Sequence, residues 1–165
     1  MATRPQADPG PDRHLIRIEL PDAPPPPSAY AEADRRQAIE DLLRGNRFAP
    51  EGLGPGPFTL HLIVREGRLI LDIRDKDDGP LRAIILVLGP FRRLIKDYLM
   101  LVENHEQAVT TGAMDARVQA IDMGRRGLHN EAAELLTTRL EGRIVVDFET
   151  ARRLFTLIAA LHQRV

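Results

Sequence analysis

Residues 58–88, FTLHLIVREGRLILDIRDKDDGPLRAIILVL, decide the fold. Phe58, Leu60, Leu62 and Val64 recur at every second position, Glu66-Gly67 makes a two-residue turn in which glycine can take positive φ, and Leu69, Leu71 and Ile73 resume the alternation. That is a β-hairpin. Asp75-Lys76-Asp77-Asp78-Gly79 supplies a second turn. Leu81 to Leu88 is apolar on both faces, so it is expected to be the most buried strand of a three-strand antiparallel meander.

Toward the C-terminus the apolar period changes from two to that of a helix. Gly89-Pro90 opens a helix where proline's missing N–H costs nothing, and Leu94, Ile95, Tyr98, Leu99, Leu101 and Val102 turn inward until Gly112 ends it. A third helix is predicted from Met114 or Asp115 to Leu140. Met114, Ile121, Leu128 and Leu135 stand seven apart, with Val118 and Ala132 between them, so one apolar seam can run its whole length. Gly124 and Gly127 each weaken that helix by about a kilocalorie relative to alanine, which leaves a kink or a break near Gly127 open. Arg143 to Asp147 reads as a short strand. Phe148 to Gln163 is a last helix with Leu154, Phe155, Leu157, Ile158 and Leu161 as its buried stripe.

Toward the N-terminus, His14 to Leu20 alternates as a strand that Pro21 stops. Pro24 to Pro27 favours an extended polyproline linker. Ser28 can cap a helix running to about Gly45, with Ala38, Ile39, Leu42 and Leu43 on its apolar side. Ala49 to Pro57 holds three prolines and three glycines and is expected to be a loop. Met1 to Asp12, polar and rich in proline and glycine, is expected to be a disordered tail, with residues 13–165 forming a single α+β domain: the three-strand meander and two short strands against four or five helices.

Composition narrows the function classes. At 165 residues one domain buries roughly two-thirds of its unfolded surface, so no staples are required. There is no cysteine, which removes disulfides and thiolate chemistry and suits a reducing cytoplasm. No segment approaches the roughly eighteen uninterrupted apolar residues of a membrane span, and a cytoplasmic location away from the membrane is expected. Formal net charge is -1, so no global field draws nucleic acid, and an aromatic content of 4% gives few surfaces for base stacking. The five histidines lack metal-ligand spacing, and no phosphate-loop or dinucleotide-binding motif is present. Neither a metal nor a cofactor is expected.

Three blocks, GPFRRLIKDY (89–98), IDMGRRGLHNEAAELL (121–136) and VDFETARRLFTLIAALH (146–162), together with RFAP (Arg47 to Pro50) and the hairpin between them, resemble the alphaproteobacterial uncharacterised protein family 0262. The resemblance spans about Arg13 to His162. It implies an intracellular bacterial protein of this size and carries over no reaction, ligand or catalytic residue.

The residues themselves offer two candidate chemistries. Arginine doublets at Arg35-Arg36, Arg92-Arg93, Arg125-Arg126 and Arg152-Arg153 all fall on predicted helices, and a guanidinium fork binds phosphate or carboxylate at two points. The favoured reading of any single doublet is a solvated helix face paired with nearby acids: Arg93 with Asp97, Arg126 with Asp122, Arg152 or Arg153 with Asp147 or Glu149. Convergence of two doublets would favour a site, and the set advanced is Arg92, Arg93, Arg125, Arg126, His129 and Asn130 around an anionic ligand. His129 and Glu131 are the candidate acid–base pair of a small-molecule enzyme, although two residues apart on a helix they do not naturally converge. The structural alternative is that His129 bonds a neighbouring segment such as Arg47 to Pro50. A binding module is thus expected ahead of an enzyme, with an anionic small molecule or a protein as its partner. A homodimer or adaptor built on the 114–140 seam is a third reading.

Overall fold

In the computed structural model, which describes residues 13–162, the chain runs β1 (Leu15–Glu19), α1 (Ala29–Arg44), β2 (Phe48–Pro50), β3 (Phe58–Arg65), β4 (Arg68–Arg74), β5 (Pro80–Val87), a 3-10 turn (Gly89–Phe91), α2 (Arg92–Thr110), α3 (Asp115–Leu140), β6 (Ile144–Val146) and α4 (Phe148–Leu161). The expectations for Met1 to Asp12 and for Gln163 fall outside the described residues. The fold is a single α+β domain, as the patterning predicts. β3, β4 and β5 form the antiparallel meander, with Leu62 opposite Leu71 and Val64 opposite Leu69. Its tight turn places Glu66 at φ 51° and Gly67 at φ 74°, the left-handed pair that matches strand twist in a two-residue hairpin.

β1 adds to the meander parallel to β3, so the sheet order is β1-β3-β4-β5. The helices cover one face of it. Leu60, Leu62, Leu69, Leu71, Ile73, Ile84 and Leu86 point into that layer and are all buried, alongside Phe91, Leu94, Ile95 and Tyr98 of the α2 region, Leu136 of α3 and Phe155 of α4. Asn46 joins the start of the sheet to the end of α1: its carboxamide oxygen accepts from the Leu15 N–H at 2.7 Å, and its amide donates to the Leu15 and Leu42 carbonyls at 3.0 and 2.8 Å. Ser28 caps α1 by accepting from the Ala31 N–H at 3.0 Å, as its hydroxyl predicts.

Three expectations need correction, and the question left open at Gly124 and Gly127 is answered. β5 is an edge strand, not the most buried one: Ile85 and Val87 are 53% and 63% exposed, because β1 takes the opposite flank beside β3. Phe48–Pro50, assigned in part to a loop, pairs antiparallel with β6; proline is tolerated there because a two-stranded ribbon has free edges. The α3 helix is continuous through Gly124 and Gly127. A Cβ at Gly124 would sit in ordinary van der Waals contact with Leu101 at 3.6 Å and one at Gly127 would meet nothing, so neither glycine is demanded by a close approach, and the helix carries their low propensity across its length. The seven-residue seam is also displaced: Met114 is exposed, Ile121, Leu128 and Leu135 are only partly covered, and full burial falls on Ala132, Ala133, Leu136 and Leu140. No helix among the described residues is long and apolar enough to cross a membrane.

Candidate functional site

The polar residues that the fold does bring together lie between α1, α3 and α4. α4 begins at Asp147, whose carboxylate accepts from the Thr150 N–H at 3.0 Å, and its apolar stripe docks on the sheet so that Glu149, Arg152, Arg153 and Thr156 remain toward α1. α1 runs past with Asp34, Gln37, Ala38 and Asp41, positions spaced for one helix face. α3 contributes Arg125 and His129, four apart and therefore stacked along one side. These residues line an open cleft of about 260 Å³.

Arg125 is the anchor of its inner end. Its guanidinium donates to the Asp34 carboxylate at 2.5 Å, to the Tyr30 hydroxyl at 3.3 Å and to the Tyr98 hydroxyl at 3.4 Å. The Tyr98 hydroxyl also donates to the other Asp34 oxygen at 3.3 Å, and Tyr30 bonds His105 Nδ1 at 2.7 Å. Burial disfavours the charge on Arg125, but Tyr98, Asp34 and Tyr30 more than offset it, and its pKa is raised. Burial likewise pushes the Tyr98 hydroxyl up to about 12, with Asp34 adding to the effect, so it stays a protonated donor at any physiological pH.

His129 lies one turn deeper. Its Nε2 is 3.0 Å from the Thr156 hydroxyl, and the ring packs 4.9 Å from Tyr98 and edge-on to Phe155 at 6.5 Å. Its partner is thus α4, not the Arg47 to Pro50 segment; there Thr150 accepts from the Arg47 N–H instead. Burial, with Arg125 and Arg152 adding repulsion, lowers its pKa to about 4. The folded pKa lies below the ordinary 6.5, so the unfolded chain takes up this proton first. Stability from this group should be complete above pH 6.5, fall as the pH drops from about 6.5 to 4, and level off below. The total is on the order of 3 kcal/mol. A proton-NMR titration should find an imidazole neutral at pH 5.5; a midpoint near 6.5 would contradict the assignment.

The six arginine, histidine and asparagine candidates do not form one site. Arg93 bonds Asp97 at 3.3 Å and Glu131 at 2.6 Å, along the flank of α2 and α3 away from α1. Arg92 and Asn130 are exposed, and Arg126 is held by Asp122 at 3.2 Å with most of its side chain in solvent. Only Arg125 and His129 of the set enter the cleft. Glu131 is engaged by Arg93, so the pairing of His129 with Glu131 does not assemble. The local ion pairs read from spacing do form: Arg93–Asp97, Arg126–Asp122, and Arg152 and Arg153 with Glu149 at 3.1 and 3.6 Å.

The charged groups lining the cleft balance in number, Asp34, Asp41 and Glu149 against Arg125, Arg152 and Arg153, but they are unevenly shared. Arg125 is matched by Asp34, Asp41 turns outward to Arg44 at 3.1 Å, and Arg152 and Arg153 share the single carboxylate of Glu149. Chemically, the outer half of the cleft can accept an oxyanion, and the inner half offers a neutral imidazole and a threonine hydroxyl. Among the described residues no cluster of histidine and carboxylate groups could hold a metal ion. The doublet Arg152-Arg153 was visible in the sequence but Asp34, Tyr98 and Thr156 were not, since nothing local marks a partner 91 residues from Arg125.

Comparison with known proteins places the chain among relatives of the same size. The model of the uncharacterised protein family UPF0262 matches residues 12–164. A UPF0262 protein of Granulibacter bethesdensis is 57% identical over 146 residues, 84% of this chain and 82% of the relative. One from Acidiphilium cryptum is 56% identical over 138 residues, 83% and 84% of the two chains, and one from Maricaulis maris 49% identical over 154 residues, 93% and 96%. No solved structure matches.

Proposed function

We propose that this chain, which belongs to the uncharacterised protein family UPF0262, is a binding module that takes a small anionic ligand, a phosphate or carboxylate compound, in the cleft between α1, α3 and α4. The observation that carries the reading is that the Arg152 and Arg153 guanidinium groups share one carboxylate, Glu149, on the wall of a cleft of about 260 Å³. Both side chains are partly exposed along the cleft, and two guanidinium groups on its wall can present their forks to one oxyanion. Arg125, held by Asp34, fixes the inner wall. His129, neutral at physiological pH, gives a ligand a hydrogen-bonding group without a charge. We take the compartment to be the cytoplasm, where phosphorylated and carboxylate metabolites are abundant; cell fractionation tests that part separately.

Thermal denaturation with inorganic phosphate, citrate and nucleotides tests the ligand class. A ligand at a hundredfold excess over its Kd stabilises by about 2.7 kcal/mol, a rise of several degrees in Tm. The double variant Arg152→Ala/Arg153→Ala should lose the shift, and Arg126→Ala, on the other side of α3, should keep it. No stabilisation by any of the three, or a shift that survives the double variant, rejects the proposal.

A further inference from the structure

The face of the four-stranded sheet that the helices leave open does not look like a solvent face. Every outward position of β5 is apolar: Leu81, Ala83, Ile85 and Val87. Three of the large ones are exposed, Leu81 at 41%, Ile85 at 53% and Val87 at 63%. Ile85 lies opposite Ile70 on β4, and Ile70 lies opposite Ile63 on β3, so a row of isoleucines crosses three strands. A strand with both faces apolar is the pattern of a strand covered on both sides, and contiguous exposed apolar surface marks an interaction site. Sequence pattern and observed exposure therefore disagree at β5, and a partner on this face would reconcile them.

The rows flanking the isoleucines indicate which partner. On one side Arg65, Arg68 and Val87 are aligned across β3, β4 and β5; on the other side His61, Asp72 and Ala83 are. A two-fold axis laid along the isoleucine row brings each strand over its own copy and exchanges these two flanking rows. Each isoleucine then meets its equivalent, Val87 meets Ala83, Arg68 meets Asp72, and Arg65 meets the side where His61 bonds Asp78 at 2.9 Å. Within one copy Asp72 bonds Arg74 at 2.9 Å and Arg65 bonds Asp22, so across the axis Asp72 is shared between Arg74 and the incoming Arg68. Apolar rows meet apolar rows and Arg68 meets a carboxylate, as an isologous interface requires, and the strands cross at the small angle of two aligned packed sheets. We propose that the open sheet face, centred on Ile63, Ile70 and Ile85, docks on a second copy of this chain to form a two-fold dimer, with Arg68 of each copy against Asp72 of the other.

Sedimentation velocity of the full chain from micromolar to about 100 µM tests this. A concentration-dependent dimer is expected, with Ile85→Lys and, separately, Val87→Lys raising its Kd at least tenfold while far-UV circular dichroism and Tm of the monomer hold. Arg68→Glu should weaken the dimer, and adding Asp72→Lys to it should restore association, a rescue that a different partner surface would not give. Both lysine sites are solvent-exposed, so loss of folding is not expected from either. A chain that stays monomeric at 100 µM overturns the proposal, as does a dimer that both lysine variants leave intact or a charge exchange that fails to rescue.

Discussion

Asp34→Ala is expected to destabilise the protein by about 3 kcal/mol, the loss typical of a buried ion pair stripped of one partner. The reason is the state in which it leaves Arg125. That guanidinium is 16% exposed and Asp34 24%, and with the carboxylate gone a charge remains between α1, α3 and α4 with only the Tyr30 and Tyr98 hydroxyls nearby. Tyr98 also loses the acceptor for its own proton. Removing both charges is predicted to be milder. Asp34→Leu combined with Arg125→Met should recover much of the loss, since well-packed apolar replacements of buried pairs are often near neutral. Urea unfolding of the four proteins of that cycle measures it: a lower midpoint at unchanged m-value for each single variant, and partial recovery in the double. A single-variant loss under 1 kcal/mol would mean that Arg125 reaches solvent when unpaired and that the pair acts as a surface bridge.

Phe155→Ala should cost more, about 4 kcal/mol, within the range for emptying a buried phenylalanine site. The ring is fully buried and sits edge-on to Tyr98 at 5.6 Å and to His129 at 6.5 Å, so it backs both of those side chains. Its removal has a second expected effect that a simple core cavity lacks. Water reaching His129 would weaken the desolvation that holds its pKa near 4, and the NMR midpoint should move up toward 6.5. A variant that loses stability while the imidazole midpoint stays put would show that Phe155 supports the core but not the environment of His129.

Much of this architecture could be read along the chain because local rules and tertiary packing agree. The hairpin of β3 and β4 has alternation, a left-handed turn pair and cross-strand leucines all pointing to one arrangement, and Ser28 caps the helix that its position suggests. Disagreement arises where the sequence pattern reflects something beyond the single chain's local structure. β5 carries the residues of a twice-covered strand yet stands at the edge of the sheet. The spacing of Met114, Ile121, Leu128 and Leu135 follows a straight seam, but the fully buried residues of α3 begin only at Ala132, so the same periodicity yields burial at one end and exposure at the other. Gly124 and Gly127 left a break open because propensity is a local quantity, whereas the packing of α3 on α2 and α4 that carries the helix through is not. The site was least legible. Arginine doublets announce charge without direction, and a helix turns neighbouring side chains by about 100°. Arg125 therefore enters the cleft while Arg126 leaves it, and Arg92-Arg93 finds its acids on the far flank. Arg152 and Arg153 matter because α4 lies alongside α1, a juxtaposition that only the folded chain contains.

The uneven burial of α3 also divides the molecule in time. Before Ala132 this helix has no fully buried residue, and its N-terminal half is tied to the rest by Leu101 beside Gly124 and by Arg125 on Asp34. Segments with few buried contacts open locally at a fraction of the global unfolding free energy, so the far end of the α2–α3 hairpin can exchange its amide protons and fray while the sheet stays closed. Arg125 stands at the frontier between the two regimes. A ligand that tightens the cleft would slow the opening of the hairpin, and backbone kinetics some distance away would register occupancy that the cleft itself barely reveals.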